Sequence, residues 1–332
     1  MNAVFRTVVP PMSYSFAIAH QDGLLSLGSC FTEHIGVRLS DFKFMNTLNP
    51  FGIIYNPISL ANSLEYLAGE SLFEHADLFD YQGLWHSFVH HGRFSHPDRA
   101  QALEGMNAAL HTARAALPSV NRLLLTLGTA HVFVHRESGQ VVANCHKLPG
   151  SFFERRRLSP EAIVAALVTP LQQLKSKNAD FQVIITISPV RHLRDGHIEN
   201  QRSKAALLLA ADQLCQTFDF VHYFPAYELV LDDLRDYRFY ASDMIHPDTV
   251  AVDYIWRYFS QAFFKEPTQH ILRELDALQR ACAHRPFHVQ TSEHQAFVHR
   301  QLHALEQLRT NFPWLNLDAE QALLEKQLNR SF

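Results

Sequence analysis

Two short segments of the chain carry residue types that could act together in nucleophilic catalysis. The first is Gly28-Ser29-Cys30, which follows the apolar run Leu24–Leu27 and precedes a segment with helical spacing. A glycine at the end of a buried strand allows a sharp turn, and the first N–H groups of a helix have no intrahelical acceptor. A serine in such a turn is therefore a candidate nucleophile, with hydrogen-bond donors for an oxyanion beside it.

The second segment is Asp243-Met244-Ile245-His246. A separation of three residues places the carboxylate and the imidazole on one side of a turn or short helix. Serine early in the chain, followed by aspartate and histidine, is one of the orders in which hydrolytic triads occur. Each segment alone is also compatible with an ordinary turn. Together they predict Ser29 as nucleophile, His246 as general base and Asp243 as the residue that orients it.

Cys30 is the rival nucleophile in the same turn. A thiol at the N-terminus of a helix has a lowered pKa and becomes more nucleophilic. Replacing Ser29 and Cys30 separately by alanine would distinguish the two.

The composition limits the classes of function. A chain of 332 residues with 47% hydrophobic content is long enough for a full α/β core and an additional smaller part. The net charge of −4 gives no electrostatic reason to expect nucleic acid as a partner. No apolar run approaches the roughly 20 residues of a membrane span, and the N-terminal segment lacks the features of a secretory signal. We therefore expect a cytoplasmic protein that does not act at a membrane.

The cysteines and histidines do not form a metal-binding pattern. The four cysteines contain no Cys-x-x-Cys pair, so we expect free thiols, and no cofactor motif is present. Among the 21 histidines, His86 and His90 have the spacing of ligands on a helix, but the glycines and proline around them favour a loop. We expect no metal there. His86, His91 and Arg191 are instead candidate substrate contacts, with an exposed loop as the alternative for the arginine.

Apolar runs alternate with helical patterns along most of the chain. The predicted strands are Leu24–Leu27, Arg122–Leu127, Val183–Ile187 and, more weakly, Val221–Phe224; the predicted helices are Arg99–Leu117, Pro160–Lys177 and Asn200–Phe218. This alternation predicts a parallel sheet covered by helices on both faces. Ligands bind outside the carboxyl ends of such strands, where Gly28-Ser29, Gly128-Thr129 and Ser188-Pro189 should converge.

The sequence changes character after about Lys265. Leucines then recur at helical spacing, and β-branched residues become scarce. We predict a catalytic domain at residues 1–265 and a helical C-terminal extension at residues 266–332. The extension is a candidate for packing on the catalytic domain or on a second copy of the chain, and the alternative is a structural lid over a sheet edge.

Longer motifs resemble a known family. Gly28-Ser29-Cys30-Phe31-Thr32 is similar to the Gly-Ser-Cys-Phe-Ala signature of the GSCFA family. The similarity continues through further blocks over about residues 20 to 265: Asn49–Pro57, Leu127–Thr129, Asn144–Lys147, Ile187–Pro189 and Asp236–Pro247. The family looks like a branch of the SGNH or GDSL-type hydrolases. The resemblance thus implies a flavodoxin-like three-layer sandwich with a central parallel sheet.

The resemblance also implies roles for individual residues. Ser29 matches the nucleophile, Gly52 the glycine of the second conserved block, and Asp243 with His246 the final block. The asparagine of the third block is missing, because this chain has Ala130 in that position. The expected backbone oxyanion donors are therefore the N–H of Ser29 or Cys30 and the N–H of Gly52. The side chain of Asn144 or of His131 is the expected substitute for the missing asparagine.

These residues predict acyl transfer to water. The family analogy favours a small acyl group, such as acetyl, on a carbohydrate or another polar alcohol. The alternative is a binding or scaffold protein that has lost catalysis, which the missing asparagine allows. The intact Asp243 and His246 favour the enzyme.

Overall fold

The computed structural model describes residues 7–288 and 290–329. Its ten strands, in chain order, are β1 (Gly23–Gly28), β2 (Met45–Leu48), β3 (Phe79–Tyr81), β4 (Leu84–His86), β5 (Val120–Leu127), β6 (His131–His135), β7 (Val141–Val142), β8 (Phe153–Arg157), β9 (Gln182–Ile187) and β10 (Val221–Phe224). The α-helices are α1 (Cys30–Asp41), α2 (Pro57–Ala68), α3 (Arg99–Ala116), α4 (Pro160–Lys177), α5 (Gly196–Thr217), α6 (Ala226–Glu228), α7 (Thr249–Phe263), α8 (Glu266–Ala283), α9 (Ser292–Asn311) and α10 (Asp318–Asn329). None of the helices within these described residues is long and apolar enough to cross a membrane.

Five parallel strands form the central sheet in the order β2-β1-β5-β9-β10. Numbered along the chain, this order is 2-1-3-4-5, the flavodoxin-like arrangement. Helices cover both faces, and the described C-terminal residues are helical, so the predicted fold class is confirmed. Two small antiparallel sheets, β3-β4 and β7-β6-β8, lie outside this framework.

Alternate residues of each strand face opposite sides of the sheet and enter two separate apolar cores. Leu25 and Leu27 of β1 belong to a core shared with α2, α3, α4 and α5, which we call the first core. Leu24 belongs to a core shared with α1 and α7, which we call the second core. The second core also takes in side chains of α8, α9 and α10, such as Leu275, Leu305 and Leu324.

The C-terminal helices therefore pack on the α/β part of the chain. Hydrogen bonds reinforce this contact: Thr268 donates to the carbonyl of Ile18, and Trp314 Nε1 donates to His20 Nδ1. α8 begins at Glu266, next to the expected boundary, and the division into two domains stays a prediction.

Candidate active site

A cavity of about 700 Å³ opens at the carboxyl ends of the central strands. Cys30 lines it from the turn after β1, Thr129 from the turn after β5, and residues 190–194 from the loop after β9. Ile245 and His246 close one side. Cavities of this size accommodate small organic ligands, and their place at the strand ends is the usual one in open α/β sheets.

The turn after β1 requires a glycine. Gly28 has φ +145°, and a Cβ at this position would lie 2.4 Å from the carbonyl oxygen of Thr126 and 2.6 Å from Thr32 Oγ1. Its N–H donates to Asn49 Oδ1 at 2.9 Å. The backbone of β1 thus approaches β5 and α1 closely, which fixes where Ser29 and Cys30 lie.

Ser29 and Cys30 have different surroundings. Ser29 is fully buried, and its Oγ accepts the N–H of Phe31 at 3.3 Å, so it caps α1 and does not line the cavity. Cys30 is half-buried and lines the cavity together with His246. Among the described residues, no hydrogen bond joins Ser29 to His246. The side chain that the structure brings into the same cavity as the histidine is therefore that of Cys30.

Asp243 and His246 form a compact pair. His246 Nδ1 lies 2.7 Å from Asp243 Oδ2, and the N–H groups of Ile245 and His246 donate to Asp243 Oδ1. These two N–H groups and the imidazole lower the pKa of the Asp243 carboxyl to about 2. With Nδ1 held by a carboxylate, Nε2 of a neutral imidazole is left as the proton acceptor. The predicted pairing of Asp243 with His246 is present.

A buried lysine lies behind this cavity. Lys204 Nζ donates to the carbonyl oxygens of Gly128 at 2.7 Å and Ser188 at 2.6 Å, at the ends of β5 and β9. Burial lowers its pKa to about 7. Burial raises the pKa of the Cys30 thiol, whereas the N–H groups of Phe31 and Cys30 and the charge of Lys204 act in the opposite direction. Cys30 is therefore a protonated thiol at neutral pH, close to donors that would stabilise its anion.

His192 lines the cavity and is largely buried. Burial and the positive charges of Lys204, Arg155, His246 and His131 lower its pKa to about 3, so its imidazole is neutral. Its Nε2 is buried without a hydrogen-bond partner among the described residues. Because His192 lines the cavity, this nitrogen is a candidate for a polar contact with substrate.

Most backbone donors near the third-block position are already engaged. The N–H groups of Gly128 and Thr129 donate to the carbonyl of Tyr55, and the N–H of Ala130 donates to Ser203 Oγ at 2.7 Å. Gly52 is engaged too, because its N–H donates to the carbonyl of Asn49 at 2.7 Å. A glycine is needed at this position for another reason. Its φ is +82°, and a Cβ there would lie only 2.2 Å from the Cβ of His91. Gly52 does not line the cavity, so the expectation that it supplies an oxyanion donor does not match the structure.

Both candidate side-chain donors line the cavity. Asn144 Oδ1 accepts the N–H of His146 at 2.8 Å, which orients the amide and leaves its Nδ2 group without a protein acceptor among the described residues. His131 is held near Asp195 (3.9 Å) and Glu199 (3.7 Å). Asn144 is the better placed of the two, because its donor is unoccupied.

Of the three expected substrate contacts, two line the cavity and one does not. His91 and Arg191 line the cavity. His86 does not: it is buried, pairs with Ser95 Oγ at 2.6 Å and packs against Phe79. The expectation for His86 is wrong because β4 turns its imidazole into a small local core.

Two residues of the site lie outside every motif of the sequence: Arg155, which lines the cavity, and Lys204, behind its wall. A lysine among the apolar residues of a predicted helix was the one available signal for Lys204. Arg155 lies on β8, whose cross-strand pairing with β6 decides where its guanidinium goes. A pattern of residue types does not contain that pairing.

Two family models match the chain. The model described as the GSCFA family matches residues 23–259, which is well over half of the chain. The model described as GSCFA domain protein, C-terminal domain, matches residues 275–330. No curated protein and no solved structure gives a significant match.

Proposed function

The chain belongs to the GSCFA family, and on that premise we propose that it hydrolyses small acyl esters, with Cys30 as nucleophile, His246 as general base and Asp243 as the orienting carboxylate. The observation that carries the proposal is the shared cavity of Cys30 and His246. The hydrogen bond between His246 and Asp243 supports it, because it holds the imidazole in the tautomer that a base needs.

The proposed reaction has two steps. His246 Nε2 removes the thiol proton as Cys30 Sγ attacks the ester carbonyl, and the same proton passes to the departing alcohol oxygen. The product is a thioester on Cys30. Water then attacks the thioester carbonyl while His246 takes its proton, the carboxylic acid departs, and the proton returns to the sulfur. Asp243 stabilises the imidazolium in both steps.

The surroundings of Cys30 suit general-base activation. The raised pKa of the buried thiol means that a resting thiolate is scarce at neutral pH, so the proton must leave during the attack. Ser29 has no comparable position, since its Oγ is buried and caps α1. In this proposal Ser29 keeps the helix start in place, and the nucleophile is the next residue.

The negative charge on the tetrahedral intermediate needs hydrogen-bond donors to stabilise it. The N–H of Cys30 is the first of α1 and has no intrahelical acceptor. We assign the Nδ2 group of Asn144 as the side-chain donor in place of the missing asparagine. Loss of one such donor typically costs about 3 kcal/mol of transition-state stabilisation. The acyl group and alcohol, an acetyl ester of a carbohydrate or similar alcohol, follow from the resemblance to SGNH-type hydrolases.

Covalent labelling combined with a substrate screen tests the proposal. The intact protein is incubated with iodoacetamide and, separately, with a fluorophosphonate, and the labelled residue is mapped by mass spectrometry. Turnover is measured on p-nitrophenyl esters of rising chain length and on acetylated sugars. We expect substrate-protectable alkylation of Cys30, and loss of turnover on alkylation.

Ser29→Ala is the matched control. It should lose part of the helix cap, worth about 1 kcal/mol of stability, and keep turnover. Fluorophosphonate labelling of Ser29 with loss of turnover in Ser29→Ala would transfer the role to the serine. Absence of turnover on every ester, with neither residue labelled in folded protein, would favour a non-catalytic binding protein.

A further inference from the structure

The charged residues that line the cavity are all cations. They are Lys147, Arg155, Arg191 and Arg194, and no aspartate or glutamate among the described residues lines it. The chain as a whole has 33 acidic and 29 basic residues, so carboxylates are not scarce. The concentration of positive charge in this one cavity runs against the net charge of the protein.

Among the described residues, three of these cations lack an acidic partner. Elsewhere, arginines such as Arg157 and Arg202 pair with carboxylates. Within the described ranges, no carboxylate lies at ion-pair distance from Lys147, Arg191 or Arg194, whereas Arg155 pairs with Asp195.

Arg191 is held instead by neutral groups. Its guanidinium donates to the hydroxyl of Tyr240 at 3.0 Å and to the carbonyl of Met244 at 3.3 Å, and it lies over the Tyr240 ring. Its positive charge is therefore fixed beside the loop that carries His246 without being neutralised.

Two of the guanidiniums are brought together by one aromatic ring. Arg155 and Arg194 lie over Phe133, with the guanidinium carbons 4.6 and 4.8 Å from the ring centroid. Arg155 of β8 is paired with Phe133 of β6, so the small sheet fixes the backbone position of this arginine. Arg155 Nε is buried and has no acceptor among the described residues. A planar guanidinium with an unused donor is suited to bind an oxyanion.

Backbone conformation presents the fourth cation. His146 and Lys147 have φ of +48° and +63°, two consecutive left-handed residues without a glycine. The His146 imidazole is tied to the carbonyl of Ser87 at 2.8 Å, which holds the strained turn in place. Lys147 then stands exposed at the cavity. Strain of this kind persists where surrounding contacts fix it and is common at ligand sites.

We infer that this cavity has an anion subsite formed by Lys147, Arg155, Arg191 and Arg194, and that the ester it takes carries an oxyanion group, a carboxylate or a phosphate, in addition to the acyl group. The inference rests on the proposed function only for the ester. The anion subsite itself depends on the four cations and can be tested by binding alone.

Calorimetric titration of the full chain with three sugars provides the test. Glucose is the neutral probe, glucuronic acid carries a carboxylate, and glucose 6-phosphate carries a phosphate; none of them contains an acyl ester. Since charge-assisted hydrogen bonds are the strong ones, we expect at least one anionic sugar to bind roughly tenfold or more tightly than glucose. The tighter of the two assigns the anion.

The double variant Lys147→Gln/Arg194→Gln should reduce that preference to near unity. Arg156→Gln is the control, because Arg156 is the neighbour of Arg155 on β8, pairs with Glu154 and does not line the cavity. Equal affinity for the three sugars, undetectable binding of both anions, or a preference that survives in the double variant would overturn the inference.

Turnover of the acetyl esters of the same sugars separates the two proposals. Anion preference in binding without hydrolysis of any ester leaves the subsite intact and removes the proposed enzyme. Hydrolysis together with equal binding of the three sugars leaves the enzyme and removes the subsite, and equal kcat/KM for neutral and anionic esters removes the anionic group from the substrate.

Discussion

The Gly28–Cys30 turn is held by the buried sheet, whereas the Asp243–His246 loop is exposed and is held by hydrogen bonds around Asp243 and by one from Arg191. In the turn, a strained glycine contacts the backbone of Thr126, and Ser29 is completely enclosed. In the loop, Asp243 accepts three hydrogen bonds from its own neighbours, and its side chain is 46% exposed.

This difference separates two kinds of substitution. A change at Gly28 should disturb the fold, because its backbone lies against the buried sheet and has no room for a side chain. A change in the loop should disturb the chemistry and leave the fold nearly intact. Substitutions at Cys30, Asp243, Gly28 and Met244 test this comparison, and Lys204 tests the buried wall behind both regions.

Replacement of Cys30 by alanine should have the largest effect. It removes the proposed nucleophile, and we expect kcat/KM to fall roughly ten-thousandfold with little change in the melting temperature. Steady-state kinetics on the best ester of the screen measure this. Cys215→Ala is the control, because Cys215 does not line the cavity. A residual rate above one tenth of the wild type would place the nucleophile elsewhere.

Asp243→Asn should come next. An asparagine can favour the wrong imidazole tautomer and cannot stabilise the imidazolium, so we expect kcat to fall roughly 100- to 1000-fold with KM little changed. Because the loop is exposed, the midpoint of urea unfolding should stay close to that of the wild type. A cooperative loss of stability comparable with that of a core mutant would show that the loop supports the fold.

Gly28→Ala and Met244→Gly compare the two regions on stability alone. The alanine would require a strained φ and meet a carbonyl oxygen at 2.4 Å, so we expect a loss of roughly 3 kcal/mol in unfolding free energy. Met244 has φ +58° and is exposed, so a glycine there should change stability by less than about 1 kcal/mol. Urea unfolding measures both. Equal losses would contradict the distinction between turn and loop.

Lys204 gives the smallest effect, and it depends on pH. Its folded pKa of about 7 lies below its unfolded value, so between these values the unfolded chain holds the proton that the folded chain has lost. Stability from this residue is therefore lowest below pH 7 and rises as the pH rises. Relative to Lys204→Met, the wild type should gain roughly 2 kcal/mol between pH 7 and pH 9.

The matched control for this titration is Lys175→Met, which removes a lysine that donates to two carbonyls at the surface. Both variants are measured over the same pH range, and the gain is expected in the comparison with Lys204→Met. If the difference between the wild type and Lys204→Met does not change between pH 7 and pH 9, burial does not set the protonation of Lys204.

The main sheet could be predicted because its strands are short apolar runs buried on both sides. Four of the five strands lie within one or two residues of the predicted runs, and the helix Pro160–Lys177 has the predicted bounds. Edge strand β2, with the sequence Met-Asn-Thr-Leu, lacks such a run and was not predicted. The small sheet β7-β6-β8 was missed for another reason: β7 has only two residues and β8 is mostly charged, so both take their place from pairing with β6.

The candidate site was predictable where its geometry is local. The Asp243–His246 pair depends on a three-residue spacing, and the structure has it. The choice between Ser29 and Cys30 depends on which side chain faces α1 and which faces the cavity. The sequence of two adjacent residues does not predict these directions. The cations come from β8 and two loops that converge only in three dimensions.

The last residues of the two cores on either side of the sheet are synthesised at different times. The described members of the first core end at Tyr227, whereas the second core needs Leu324 of α10. At about 5–20 residues per second, the ribosome takes on the order of ten seconds to cover that interval. During this time the described residues of the first core have all been synthesised, whereas those of the second core have not. Until helices α8 to α10 have been synthesised, part of the second core stays uncovered. A chaperone that binds apolar surfaces would therefore contact this side of the sheet first.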